Sequence, residues 1–403
     1  MIEYMNSLKL KQLPPLSLYI HLPWCVKKCP YCDFNSHNLK DNLPEEQYIN
    51  ALLADLDNAL PLIWGRSIQT IFIGGGTPSL FSGSAIDFLL SQIRNRIRLS
   101  PYAEITLEAN PGTVERQYIQ EYRRAGVNRI SLGIQSFNDK HLKSLGRIHN
   151  TKEAYLAIET VANCFDNFNL DIIYALPAQS LTEAISDIEK AISFKPTHIS
   201  IYNLTIEPNT QFAKYTPTGL PDNDLCYQMQ DSISQLLNEN GYQHYETSAF
   251  AHNTRQCQHN MNYWLFGDYL GIGAGAHSKL SFHDRIIRQM RHKHPAVYME
   301  KAHLGSHIQE NIQIGIEDLP FEFMMNALRL TNGFETAIFN ERTGLPLNNV
   351  LSQILTAQEQ KLLSIKPDKI VPTKRGQDFL NDLLLLFLPD PINAAKQQIK
   401  QVQ

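Results

Sequence analysis

Tryptophan and cysteine are scarce in this chain, with three and six copies among 403 residues. An excess of one charge is missing too: 36 Lys and Arg face 40 Asp and Glu, for a formal net charge of −4. That balance argues against a general polyanion binder, so no nucleic-acid partner is expected. Long hydrophobic runs are absent. The longest apolar stretch, FLNDLLLLFL from Phe379 to Leu388, is too short to span a bilayer and is interrupted by Asn381 and Asp382. The opening MIEYMNSLKLKQLPPLSLYI has neither a basic start nor a long apolar core, so neither a secretory leader nor stable membrane insertion is expected. Low-complexity tracts are also missing. What is present is 43% hydrophobic and 19% charged residues, the make-up of an ordinary globular protein. A cytoplasmic monomer or dimer follows, long enough for one large domain and a smaller one. In a reducing compartment, clustered cysteines point to a metal or redox site rather than to disulfides.

Short β-branched runs alternate with amphipathic helical runs. Strands are predicted over 17–22, 68–76, 104–110, 129–136, 169–176 and 198–205. Between them, EEQYINALLADLDNAL sets Ile49, Leu52, Leu53 and Leu56 on one helical face, and four further segments repeat the pattern. Gly126 is placed to terminate one of these helices at positive φ. Strand–helix–strand units at this spacing give right-handed crossovers and a parallel sheet. Six strands are too few for a closed eight-fold barrel, so an open, partial (βα)6 barrel is expected over 15–245. Residues 246–310 read as a connecting region. Residues 311–403 read as a small, mostly helical domain with winged-helix character.

In parallel α/β folds, ligands gather at the carboxyl ends of the strands. The unusual residues fall there. Cys25, Cys29 and Cys32 follow the first strand in HLPWCVKKCPYCDF, and no fourth thiol follows, because position 34 is Phe. Iron–sulfur clusters are held by thiolates. Three thiolates on a four-iron cluster leave one iron open. A structural zinc site would show two Cys-x2-Cys pairs or a Cys/His set, and here His21 or His37 would have to complete it. Gly74–Gly75–Gly76–Thr77 end the second strand, where glycines admit close backbone approach and offer N–H groups. Glu108 ends the third strand and Gln135 the fourth. Asp171 is a carboxylate inside an apolar strand, costly to bury without a partner. Arg147 has the planar fork that grips carboxylates.

The cysteine loop resembles that of the radical S-adenosylmethionine (SAM) superfamily. More narrowly, YIHLPWCVKKCPYCDFNSH, FIGGGTPSLF, EANPGT, RISLGIQSFND, LGRIHN, NLDIIYALPAQ and GIGAGAHS are similar, in order, to the family of oxygen-independent coproporphyrinogen III oxidases and their heme-chaperone relatives. The resemblance runs from about residue 15 to about residue 385. It implies a [4Fe-4S] cluster on Cys25, Cys29 and Cys32, with SAM filling the open iron and open to cleavage to a 5′-deoxyadenosyl radical. It also implies a SAM pocket formed by Tyr19, Gly75, Gly76, Thr77, Glu108, Gln135, Arg147 and Asp171. Trp24, Tyr31 and Phe34 would then shield the cluster. QHNMNYW (258–264) resembles the segment associated with heme in the chaperone branch, which makes His259 the candidate iron ligand, with Cys257 a weaker one. On chemistry alone His259 also fits a satisfied histidine in an aromatic cluster.

Three functions are consistent with this pattern. One is a heme chaperone that carries heme, the cluster and SAM and delivers heme to an acceptor such as a respiratory-chain protein. The second is the decarboxylating oxidase. The third is an interaction protein with a structural cluster. Two departures from the oxidase pattern favour the first. The oxidase continues Cys-x2-Cys-x-Cys where this chain has Phe34, and it carries a longer segment ahead of its first strand. The remaining Cys164 and Cys226, and the pair Met324 and Met325, read as core, and His292 and His294 as a solvated basic patch.

Overall fold

The computed structural model describes residues 8–114 and 116–389. The part of the predicted C-terminal domain beyond 389 lies outside the described residues, as does the start of the segment examined for a leader.

Six strands run parallel, each followed by a helical layer: β1 (Leu16–Leu22), β2 (Ile68–Gly75), β3 (Leu99–Ala109), β4 (Arg129–Gln135), β5 (Phe168–Tyr174) and β6 (His198–Asn203). Every strand expected from the sequence is present, within a few residues of its predicted bounds except that β3 starts earlier. The helices α1 (Glu45–Ala59), α2 (Gly83–Arg96), α3 (Arg116–Ala125), α4 (Thr151–Ala162) and α5 (Leu181–Ser193) cover the outer face. Helix starts are set by local chemistry. Asn150 with Glu153, and Ser180 with Glu183, form reciprocal capping boxes. Gly126 takes φ +104° just past α3, as its position predicts. Ile49, Leu52 and Leu56 of α1 meet Leu18, Ile20, Ile71 and Ile73 in the main core.

The sheet continues past the six parallel strands on both sides. After helix α6 (Asn223–Glu239), β7 (Gln243–Glu246) and β8 (Ala249–Ala251) add antiparallel strands beyond β6. Helix α7 (Gln258–Trp264) then leads to β9 (Asp268–Ile272), which lies parallel to β1 on its free side. The antiparallel strands β10 (His277–Ser281), β11 (Ile286–Arg291) and β12 (Ile308–Gln313) follow, giving this one sheet twelve strands among the described residues. The stretch 246–310 therefore supplies strands to both edges of the sheet.

This added wing is tied to the barrel by a buried charge cluster. Asp55 of α1 lies 3.2 Å from the Arg291 guanidinium and 2.9 Å from His307 Nε2, and accepts from Tyr298 Oη at 2.8 Å. Burial works against ionising Asp55, but Arg291 and His307 outweigh it and hold the carboxyl below its ordinary range.

The remaining residues form a second core. Phe323 of α8 (Leu319–Ala327) meets Phe334 and Phe339 edge-on, and a three-stranded sheet of β13 (Phe334–Glu335), β14 (Leu363–Ile365) and β15 (Lys369–Pro372) completes a helical, winged-helix-like unit. Leu8, Leu10 and Phe266 enter this core from outside it.

Candidate functional site

A cavity of about 320 Å3 opens at the carboxyl ends of β1–β6. Its wall contains Cys25, Cys29 and Cys32, and also Gly75, Gly76, Thr77, Glu108, Gln135, Arg147 and Asp171. Residues up to 146 apart in sequence thus share one wall because parallel strands all end on the same side. Tyr19 points into a neighbouring cavity instead, and His259 lines neither.

The cysteine loop is pinned by its backbone. His37 N donates to Pro23 O at 2.7 Å, Leu39 N to Cys25 O at 2.8 Å, and Lys28 N to Asn38 Oδ1 at 2.7 Å. The three thiols are partly exposed and unbridged. Among the described residues, no group of three or more His, Cys, Asp or Glu side chains converges tightly enough for a single metal ion. Burial, with repulsion from the neighbouring sulfurs, raises the Cys25 and Cys32 thiols above their ordinary range. Binding iron would relieve that repulsion and release protons. Of the three predicted shielding aromatics, Tyr31 and Phe34 line the cavity. Trp24 does not: it is buried edge-on against Tyr48, with ring centroids 4.7 Å apart.

The glycine tract is required by packing. A Cβ at Gly75 would lie 2.7 Å from the His21 ring, and one at Gly76 would lie 2.5 Å from Trp24 O. The expectation that this tract offers free N–H groups is corrected here. Gly76 N donates to Leu22 O at 2.8 Å, Thr77 N to Trp24 O at 2.7 Å, and Gly75 N to Glu108 Oε2 at 3.2 Å. The end of β1 and its loop take the Gly76 and Thr77 donors, and Glu108 of β3 takes that of Gly75.

Burial, with the nearby Asp171 charge, raises Glu108 to about 8. Its carboxyl is thus mostly protonated at neutral pH and ready to ionise beside an incoming cation. Asp171 accepts from Ser131 Oγ at 3.0 Å and Asn169 Nδ2 at 2.8 Å, which answers its burial inside a strand. Burial still raises it. Arg147 Nη2 donates to Gly133 O at 2.8 Å and Nη1 lies 3.6 Å from Cys29 Sγ, while Nε is buried without a partner. Gln135 holds φ +70°, which turns the chain at the rim. An orphaned guanidinium donor, a proton-holding carboxyl and three thiols on one wall fit an iron–sulfur cluster with a zwitterionic ligand beside it.

Tyr19 and His21 form a fixed pair. Asn35 O can only accept, so His21 Nε2 carries the proton and donates to it at 2.8 Å. The neutral ring then accepts from Tyr19 Oη at Nδ1, 3.0 Å away. Burial lowers His21 to about 4 and raises Tyr19 well above its ordinary value, in keeping with this assignment.

His259 sits at the other end of the strands. Helix α7 packs under the amino ends: Asn262 Nδ2 donates to Ser17 Oγ at 2.9 Å, and His259 N to Glu104 Oε1 at 3.3 Å. Thr70 donates its hydroxyl to Ser17 Oγ at 2.8 Å, so His259 Nδ1 donates to Thr70 Oγ1 at 2.7 Å. Nε2 then accepts from Tyr263 Oη at 3.0 Å. The residue is 1% exposed, and burial lowers it to about 3. Both ring nitrogens are engaged, so in this conformation the imidazole has no lone pair to give to iron. Cys257 is likewise buried, its thiol raised to about 12 by burial.

Ser131, Tyr202 and Asn203 also line the cavity and were not singled out in the sequence. Ser131 and Asp171 are joined across β4 and β5, and period-2 alternation from Asp171 into the next strand would have pointed to the inner face.

Fold and site together define a radical SAM protein, and residues 19–191 match the model of the Radical SAM superfamily. Residues 316–379 match that of the HemN C-terminal domain. The chain is 49% identical over 381 residues to "Heme chaperone HemW" of Escherichia coli, covering 94% of this chain and 100% of that one. It is 49% identical over 385 residues to the protein of that name from Haemophilus influenzae, covering 94% and 99%. With the Bacillus subtilis protein of the same name it shares 31% over 379 residues, covering 92% and 99%. This chain belongs to the HemW family. Its fold is similar to the solved coproporphyrinogen III oxidase (HemN) of Escherichia coli, with a TM-score of 0.80 at 21% identity over 93% of this chain and 90% of that one.

Proposed function

We propose that this chain is a heme chaperone. It holds a [4Fe-4S] cluster on Cys25, Cys29 and Cys32, with SAM completing the open iron, and it carries heme to an acceptor protein such as a respiratory-chain component. When bound, the cluster and SAM supply one-electron radical chemistry. The chain's own part is to fix both. Glu108 would ionise beside the ligand's amino group, Arg147 Nε would donate to its carboxylate, and Gln135 and Asp171 would hold its ribose hydroxyls. Contact with the acceptor takes place in the cytoplasm. No helix among the described residues is long and apolar enough to cross a membrane.

The observation that carries the reading is Phe34. It stands on the cavity wall, 61% exposed, where the resembled oxidase pattern continues to a further cysteine. HemW-named relatives at up to 49% identity support the same choice.

The test is turnover. The cluster is reconstituted anaerobically, and coproporphyrinogen III is added with reductant and SAM. No protoporphyrinogen IX is expected, while a parallel hemin addition gives a Soret band. Multiple-turnover decarboxylation would establish the oxidase instead.

A further inference from the structure

A second and larger cavity, of about 780 Å3, adjoins the thiol-lined one. Phe34, Gly75 and Glu108 belong to both walls. One side is the face of the added wing. The ladder sets Tyr269 opposite Lys279 and Lys279 opposite Arg288, and His277, two residues before Lys279, leaves β10 on the same face. The other side is built from Tyr263 and Trp264 at the end of α7. Tyr263 stands edge-on to Tyr269, with ring centroids 4.6 Å apart.

Heme makes three demands of a site: a flat apolar slot, cations for two propionates, and an imidazole free to reach iron. Tyr263, Trp264 and Tyr269 supply aromatic surface for the first. For the second, Lys279 does not count, because its ammonium is bound to Asp268 at 2.9 Å. Lys293 does, having no acidic partner among the described residues, and Arg288, though paired with Glu322, keeps a buried Nε without a hydrogen-bond partner. Asp33 is the other acidic group on this wall besides Glu108. For the third, His277 is exposed and its imidazole makes no hydrogen bond among the described residues. Partial desolvation, with Lys293 and Arg288 nearby and Glu310 opposing them, lowers its pKa, and the neutral ring is the form that binds iron. His259, in contrast, is sealed inside the barrel with both nitrogens occupied.

We infer that this second cavity is the heme seat, with His277 as the iron ligand and Arg288 and Lys293 at the propionates. The inference rests on the heme-chaperone reading above. It also fits iron porphyrin better than an iron-free porphyrinogen, which has no use for the imidazole.

The test titrates the purified full chain with hemin, following the Soret band and the resonance Raman signature of the axial ligand. Wild type should saturate with a histidine-ligated spectrum. His277→Ala should weaken binding tenfold or more and lose that signature with an unchanged circular dichroism spectrum. His277→Met should bind hemin with a thioether-type signature, and Arg288→Gln with Lys293→Gln should weaken binding while keeping the histidine signature. A His277→Ala chain with wild-type affinity and spectrum would overturn the placement and leave the chaperone reading standing. Failure of wild type to bind hemin at all would overturn both.

Discussion

At the residue scale, Glu108 links the site to pH. Its folded value of about 8 lies above the ordinary 4.5. Between those two values the folded chain keeps a proton that the unfolded chain has lost. The contribution to stability is therefore complete below about 4.5 and is lost as pH rises through about 8. Urea midpoints of the metal-free chain should fall over that window, and Glu108→Gln should flatten the fall. The same group predicts that SAM binding near pH 7 releases a proton, seen by calorimetry in buffers of different ionisation enthalpy. In Glu108→Gln the buffer dependence should vanish. The three cysteines act differently. Cys25→Ala, Cys29→Ala and Cys32→Ala should each lose cluster iron and its visible absorbance while keeping the folded circular dichroism spectrum.

At the scale of elements, the turn after β2 and helix α7 leave little room for change. Gly75→Ala introduces a side chain at φ +121° and against the His21 ring. A loss of about 1–3 kcal/mol from backbone strain alone is expected, measured by denaturant unfolding. His259→Ala leaves Thr70 and Tyr263 without their shared partner. It should cost at least about 1–3 kcal/mol and lower Tm, whether or not heme is present. Much at this scale was legible in advance. The six parallel strands announce themselves through β-branched runs, and their spacing places Cys25, Gly75, Glu108 and Gln135 at one end. Less visible was the side of the barrel that a histidine faces. His259 reads as an iron ligand by resemblance, but period and propensity carry no sign of the long-range bonds from Thr70 and Glu104 that bury it. The glycine tract was legible as a close approach, but not the fact that the approaching chain is the protein's own loop.

At the scale of the whole molecule, a single mixed sheet joins barrel and wing. The parallel pairing of β9 with β1 spans some 250 residues, and nothing local in the sequence encodes it. Asp55 holds that junction. Its depressed carboxyl contributes stability that is present above the unfolded carboxylate range and is lost as pH falls through the folded value. Asp55→Asn should cost about 3–5 kcal/mol, because it leaves the Arg291 charge buried and unpaired. Thermal unfolding at pH 7 measures that loss, which should shrink toward pH 3.

Two cavities adjoin in this chain: one is walled by three thiols, the other by aromatic rings and cations. The most direct measurement is an equilibrium titration of the cluster-loaded chain with hemin, followed at the Soret band, with a parallel incubation of the chain with excess coproporphyrinogen III, SAM and reductant and porphyrin recovery at the end. The account predicts saturation at one hemin per chain and coproporphyrinogen III recovered intact. Absence of a saturable Soret band, or recovery of protoporphyrinogen IX, would contradict it.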